Sequence, residues 1–256
     1  MRFTTFSLGA LALLGAMPAA AQDTAPPAPV SVSGGVTLAS EYRFRGLTQS
    51  NEKGALQATL NVNTTSGFYV GTWASTIDDD ISVPGYGNAE VDLYGGYAKT
   101  MSSGLGFDVG LLYYYYPGGR DGLNTDFFEP YASVSYTIGP VSAKVGGNYA
   151  WGGQKGLDFT DGNDDNLHLY GQASVGIPST PVTLTGQVGH TKGALGLYNP
   201  VAGDDSYWDW SLGATATGGP LTVGVTYIDT DISNAGGFAQ RWGRGSAVVG
   251  SIGVAF

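Results

Sequence analysis

From residue 33 onward, apolar and polar side chains alternate with a period of two. Within residues 167–177, Leu167, Leu169, Ala173, Val175 and Ile177 share one parity, and His168, Tyr170, Gln172 and Ser174 share the other. Residues 181–189 repeat the pattern, with Val182, Leu184 and Val188 set against Thr183, Thr185 and Gln187. Residues 56–63 do the same. Successive side chains of a strand point to opposite faces, so each segment predicts a strand with one apolar and one polar face. Twelve such segments fall near 33–47, 53–64, 67–77, 88–100, 104–116, 126–138, 141–151, 165–177, 181–191, 206–217, 220–230 and 245–256. No long segment carries an apolar stripe of helical period.

Two further patterns say which face is wet. Connections alternate in length. Thr65-Ser66, Met101-Ser102-Ser103, Gly139-Pro140, Pro178-Ser179-Thr180 and Gly218-Gly219 are tight turns. Most of the others are long and rich in Gly and Asp, as at 78–87 and 152–164, while the one after the first strand reads as short, placing Thr48 to Glu52 outside. Aromatics on the apolar parity form two groups. Phe68, Tyr97, Phe107, Tyr136 and Phe256 fall beside tight turns or the last residue; Tyr42, Phe44, Tyr113, Tyr115, Phe128, Tyr149, Trp151 and Trp208 fall at the opposite ends. Aliphatic and small residues such as Leu93, Val109, Leu111, Val134 and Val145 occupy the middle. Two aromatic belts around an aliphatic band, with short turns on one side and long loops on the other, predict an all-β, closed antiparallel transmembrane β-barrel of about twelve strands. The apolar face meets lipid and the polar face encloses the lumen.

Composition narrows the function. The chain has 256 residues, 42 of them glycine, no cysteine, and a formal charge of −10. A cysteine-based metal site is excluded, and the acidic balance disfavours nucleic acid as a partner. Arg2, the apolar run at 8–16 and Ala19-Ala20-Ala21 read as a signal peptide over residues 1–21. A flexible, Pro-rich periplasmic tail at 22–32 then precedes a barrel domain at 33–256, in the outer membrane of a Gram-negative bacterium. The two histidines, His168 and His190, have no nucleophile and acid at a spacing that builds a catalytic site, so no enzyme activity, cofactor or metal is expected. Asp158, Asp161, Asn163, Asp164 and Asp165 crowd one loop but lack the spaced ligands and terminal Glu of a calcium loop.

Strand parity sends Glu41, Arg43, Arg45, Glu90, Asp92, Asp108, Glu129, Lys144, His168 and Asp209 inward. Seven of these are the candidate pore-lining residues: Glu41, Arg43, Arg45, Asp92, Asp108, Glu129 and Lys144. They fit either a charged constriction that selects solutes or an ion-pair network that braces the lumen.

The string Ser40-Glu41-Tyr42-Arg43-Phe44-Arg45-Gly46-Leu47-Thr48-Gln49-Ser50 resembles the opening signature of the TorF-type porin family, the proteobacterial gcw-chp outer-membrane proteins. Gly67-Phe68-Tyr69-Val70-Gly71-Thr72-Trp73-Ala74-Ser75, Glu90-Val91-Asp92-Leu93-Tyr94-Gly95-Gly96-Tyr97 and Tyr113-Tyr114-Tyr115-Tyr116-Pro117-Gly118 continue the likeness, which is specific over about 34–137. The resemblance implies an exported barrel with a porin role and carries no residue-level function. The expected partners are membrane lipid, small hydrophilic solutes or ions, and the outer-membrane insertion machinery. The last of these would read Phe256 at the end of a strand whose lipid face is Val248, Ile252 and Val254. The competing expectation is a non-conducting surface barrel whose acidic loops bind a partner or divalent cations.

Overall fold

The computed structural model describes residues 29–157, 164–196, 205–232 and 243–256. The expected signal peptide, the start of the tail, and Asp158, Asp161 and Asn163 lie outside these residues. Twelve antiparallel strands close into a barrel. They are β1 (Val30–Ala39), β4 (Ala55–Thr64), β5 (Phe68–Thr76), β6 (Ala89–Thr100), β7 (Leu105–Tyr115), β8 (Phe127–Ile138), β9 (Val141–Ala150), β10 (Asn166–Gly176), β11 (Val182–Gly193), β12 (Ser206–Gly218), β13 (Leu221–Thr230) and β14 (Ala247–Ala255). Two short strands, β2 (Arg43–Phe44) and β3 (Leu47–Thr48), pair only with each other. Each barrel strand bonds to its neighbour in the chain, and β1 also pairs with β14, with Val36 opposite Val254. Closure leaves no strand edge facing hydrocarbon, where an unpaired backbone group would cost several kcal/mol, on the order given for lipid. Among the described residues no helix is long and apolar enough to cross a membrane.

The alternation sorts as expected. Val145 is 63% exposed on the outer face while its neighbour Lys144 is 7% exposed inside. Leu93, Val109, Leu111 and Val134 form the outer aliphatic band; Phe68, Tyr136 and Phe256 are exposed at the turn end, and Tyr115, Phe128, Tyr149, Trp151 and Trp208 at the loop end. Apolar exposure this continuous is unsuited to water and suited to lipid. The first strand starts earlier than the alternation indicated: Val30, Ser31 and Val32 belong to β1, opposite Thr64, Asn63 and Val62 of β4, and not to a loose tail.

The first strand also ends earlier, and this changes the interior. It was expected to run to Leu47. It stops at Ala39, and residues 41–50 fold inward, with only Glu52–Gly54 exposed before β4. Ser40 leaves the wall bonded to Gly250: its N–H donates to the Gly250 carbonyl at 2.8 Å, and Gly250 N–H donates to its Oγ at 2.9 Å. Strands β2 and β3 then form a hairpin inside the barrel. Arg45 (φ 49) and Gly46 (φ 84) make its two-residue turn, both with positive φ as a type I′ turn requires. A Cβ on Gly46 would collide with Thr230, so the turn is pressed against β13. Tyr42 and Phe44 were expected on the lipid face. Tyr42 is instead 3% exposed in the interior, and Phe44 packs beside it. A hairpin enclosed on all sides buries both parities, so alternation no longer tells lipid from lumen.

Candidate functional site

Among the described residues the buried charge lies in the interior of the barrel. Ten charged side chains are buried among the described residues, six carboxylates and four cations, with His168 beside them. All seven sequence candidates are among the ten. Facing lipid instead, a charged side chain would cost up to about 2–4 kcal/mol at mid-membrane, which explains why those on the barrel strands, Glu90, Asp92, Asp108, Glu129, Lys144 and Asp209, keep the inward parity.

Their arrangement differs between the two ends of the barrel. At the loop end the inner hairpin meets the wall. Arg45 Nη2 donates to both carboxylate oxygens of Glu129 on β8, each at 2.8 Å, with side chains 3% and 0% exposed. Tyr114 Oη and Asn148 Nδ2 donate to the same carboxylate at 3.0 and 3.2 Å. The Arg45 guanidinium also lies 4.6 Å from the centre of the Phe44 ring, which in turn meets Tyr114 edge-on at 5.9 Å. Arg43 is held within its own segment and by β14's approach: Nε donates to Glu41 at 2.8 Å, and Nη1 donates to the carbonyls of Gly46 and Gly245 at 2.9 and 2.7 Å. Tyr42 packs edge-on against Trp73 at 5.2 Å and donates to Glu90 at 3.3 Å. Leu47 clusters with Tyr207 and Ile232 on the opposite side. The hairpin therefore bridges the lumen from β5 and β8 to β12 and β13.

Not every polar atom in this zone is satisfied. Arg45 Nη1, Asp92 Oδ1, Asn166 Nδ2 and Asp209 Oδ2 are buried without a protein partner. Each such group carries a desolvation cost of about 1–3 kcal/mol, which a lumen able to admit water relieves.

Towards the turn end the remaining candidates are spread along the wall. Asp108 on β7 accepts a 2.6 Å hydrogen bond from Tyr69 Oη, and Tyr69 also meets Tyr131 through their hydroxyls. Lys144 on β9 lies within electrostatic range of Asp108. The walls of β10 to β12 carry Gln172, Ser174, Thr185, Gln187, Ser211 and Thr215, all partly exposed. Ser174 and Thr185 bond hydroxyl to hydroxyl at 3.0 Å. His168 shares a hydrogen with Thr191 at 3.0 Å, stacks on Tyr170, and lies with the Asp209 carboxylate over Gly189. Among the described residues no three His, Asp or Glu side chains are grouped to hold a metal ion. Asp165 of the acidic loop accepts from Tyr149 Oη at 3.0 Å on the outer side.

The structure thus brings Glu41, Arg43, Arg45 and Glu129 together, sets Asp92 among the buried groups of the loop-end half, and leaves Asp108 and Lys144 apart in the turn-end half. The sequence reading missed Tyr42, Trp73 and Tyr114 as packing partners of the hairpin. The Arg45-Gly46 pair was the available signal, since a glycine two residues into a polar pair marks a tight hairpin.

No curated protein matches the chain by sequence. The family described as "Bacterial protein of unknown function (Gcw_chp)" matches residues 23–248. Among solved structures, the NanC porin superposes with a TM-score of 0.57 at 16% identity, covering 88% of this chain and 99% of that one. A KdgM porin in complex with disordered oligogalacturonate gives 0.54 at 7% identity, covering 88% and 97%. The COG4313 outer membrane channel from Pseudomonas putida F1 gives 0.51 at 9% identity, covering 90% and 96%. At these identities the likeness is one of fold.

Proposed function

The chain belongs to the Gcw_chp family, bacterial proteins of unknown function, and from that membership and the character of its lumen we propose that it is a porin-like channel of the outer membrane. It passes small hydrophilic solutes by diffusion. The observation that carries this reading is the inner wall of β10 to β12, whose Ser, Thr and Gln side chains stay partly exposed inside a closed barrel with an apolar exterior. A barrel that served only as an anchor would not need a wettable wall. The outer-membrane porin and channel folds it superposes on support the same reading and the same location.

Six of the seven candidate residues divide under this proposal, and Asp92 stays with the buried groups of the loop-end half. Arg43, Arg45, Glu41 and Glu129 seat the hairpin that narrows the loop end, whereas Asp108 and Lys144 lie in the inner wall nearer the turn end. The hairpin also favours a second reading, a barrel that does not conduct until this segment moves, or at all, and that acts through its acidic loops.

Single-channel recording of the refolded full chain in planar bilayers decides between them. Discrete conductance steps from folded, heat-modifiable protein are the expected result. A folded barrel that never conducts, across a range of voltages and salt concentrations, refutes the channel and leaves the surface-binding alternative.

A further inference from the structure

Inward positions also line up across strands. One hydrogen-bonded row begins at Tyr69, near the turn end of β5, and passes Gly96 on β6 and Gly110 on β7 to Tyr131 on β8. It continues through Asn148 on β9 to His168, near the loop end of β10. Barrel strands tilt by roughly 35–45°, so a row that crosses them at right angles climbs along the axis. Six strands about 4.8 Å apart make it roughly 24 Å long, and at that tilt it rises roughly 15 Å along the axis, about half of the membrane's depth.

The rings on this path lie down. A Cβ on Gly96 would come within 2.6 Å of the Tyr69 hydroxyl, and one on Gly110 would collide with the Tyr131 hydroxyl. Beside the row, a Cβ on Gly146 would come within 2.6 Å of the Tyr170 hydroxyl, and Tyr170 stacks on His168 with ring centres 5.9 Å apart. Each phenol tip therefore occupies the space a neighbouring strand leaves by having glycine there. A ring laid against one wall turns its other face to the lumen. Between and beside the rings stand the amides of Asn148, Gln172 and Gln187, each able to donate and accept.

We propose that this path, from Tyr131 to Tyr170 with Asn148 and Gln172, is a binding track for a neutral oligosaccharide; the assignment rests on the channel reading for its biological use. Pyranose rings have apolar C–H faces that pack on aromatic faces and equatorial hydroxyls that pair with amides, a mixed apolar and polar lining of this kind. The row itself carries no carboxylate or ammonium. Asp108 accepts from its Tyr69 and Glu129 from its Asn148, and with Asp209 beside His168 these carboxylates outnumber Arg45 and the Lys144 that faces Gln172, a balance that disfavours an acidic saccharide such as the one described with the KdgM porin.

The test is titration calorimetry of the refolded full chain in detergent with maltotriose and, separately, trigalacturonate, alongside conductance in planar bilayers. Maltotriose is expected to bind saturably and trigalacturonate not to bind. Tyr131→Ala and Tyr170→Ala each weaken maltotriose about fivefold, the loss of one aromatic contact, and Tyr131→Phe, which keeps the ring, recovers most of what Tyr131→Ala loses. Gly146→Ala removes no ring but lifts Tyr170 from the wall, and weakens binding likewise. Heat-modifiable mobility and circular dichroism verify that each variant is folded. Absence of maltotriose binding by the folded barrel overturns the proposal, as do alanine variants that bind like the parent or trigalacturonate binding as tight as maltotriose. Conductance without saccharide binding refutes only the track; saccharide binding without conductance refutes only the channel.

Discussion

The two ends of the lumen obey the same alternation and yet differ in kind. At the loop end, inward side chains behave as a protein core: Glu129 is fully buried under Arg45, Tyr42 meets Trp73 edge-on, and Leu47 closes on Tyr207 and Ile232. Nearer the turn end of β10 to β12, inward side chains behave as a wetted surface, with Ser174, Thr185 and Gln187 partly exposed. The difference comes from one segment, residues 40–54. Where the hairpin lies, a polar face acquires a partner and is desolvated; where it does not, the same kind of face remains hydrated. Inward parity therefore means "away from lipid", and whether that is core or channel depends on what else enters the barrel.

The comparison is broken most sharply by removing the segment that creates it. Replacing residues 41–51 with a short Gly-Ser linker is expected to raise single-channel conductance several-fold, as the loop end becomes like the turn end. Unchanged conductance in folded protein would mean that the hairpin does not obstruct the passage.

A smaller effect comes from the ion pair that seats it. Glu129→Ala leaves the Arg45 guanidinium buried without its carboxylate, a loss of about 3–5 kcal/mol by the usual cost of such a break. Urea unfolding of the vesicle-inserted barrel measures it. Thr185→Val, on the wetted wall, should cost under about 1 kcal/mol in the same assay. Arg43→Ala combined with Arg45→Ala should lower stability while ion selectivity of the surviving channels stays where it was, because both guanidiniums are tied up in the hairpin's seat. A shift towards cations would put these arginines on the permeation path instead.

At the turn end the seam is closed by Phe256. Its N–H donates to Gly34 at 2.9 Å, its carbonyl accepts from Gly34 at 3.1 Å, and its ring covers the Gly34 backbone. Deleting Phe256 should reduce the yield of folded, heat-modifiable barrel in the outer membrane while export continues. Equal folded yield would dismiss both the seam and a role for this residue with the insertion machinery.

The smallest effect lies in the loop that leads from β5 to β6. Desolvation pulls the Asp78 carboxyl upward, but the N–H groups of Ile81 and Ser82 and the Lys53 ammonium outweigh it and hold it below the usual carboxylate range. A depressed folded value means the contribution is complete above the unfolded value, about 3.9, and is lost as pH falls through the lower folded value. Lys53 is 69% exposed and lies 3.5 Å from Asp78, so Asp78→Asn should cost less than about 1 kcal/mol. Proteolysis of this loop as a function of pH should therefore change only in strong acid; a change near neutrality would assign the loop's order to some other group.

Much of the molecule was legible before its structure. A period of two can only place residues on two faces, so the apolar band, the aromatic belts, the number of barrel strands and the inward direction of Asp92, Asp108, Glu129 and Lys144 follow from local geometry. The same rule could not find the end of β1, because Tyr42-Arg43-Phe44-Arg45 keeps alternating after the chain has left the wall. Nor could it pair Arg45 with Glu129, 84 residues away, or set Tyr131 over Gly110 and Tyr170 over Gly146. Alternation is a property of one strand and its two sides. Pairings across strands depend on the register and tilt that barrel closure imposes, and burial of both sides at once depends on a segment entering the space that closure encloses. Sequence alone thus determined which residues avoid lipid, and the tertiary structure decided which of them meet one another and which meet water.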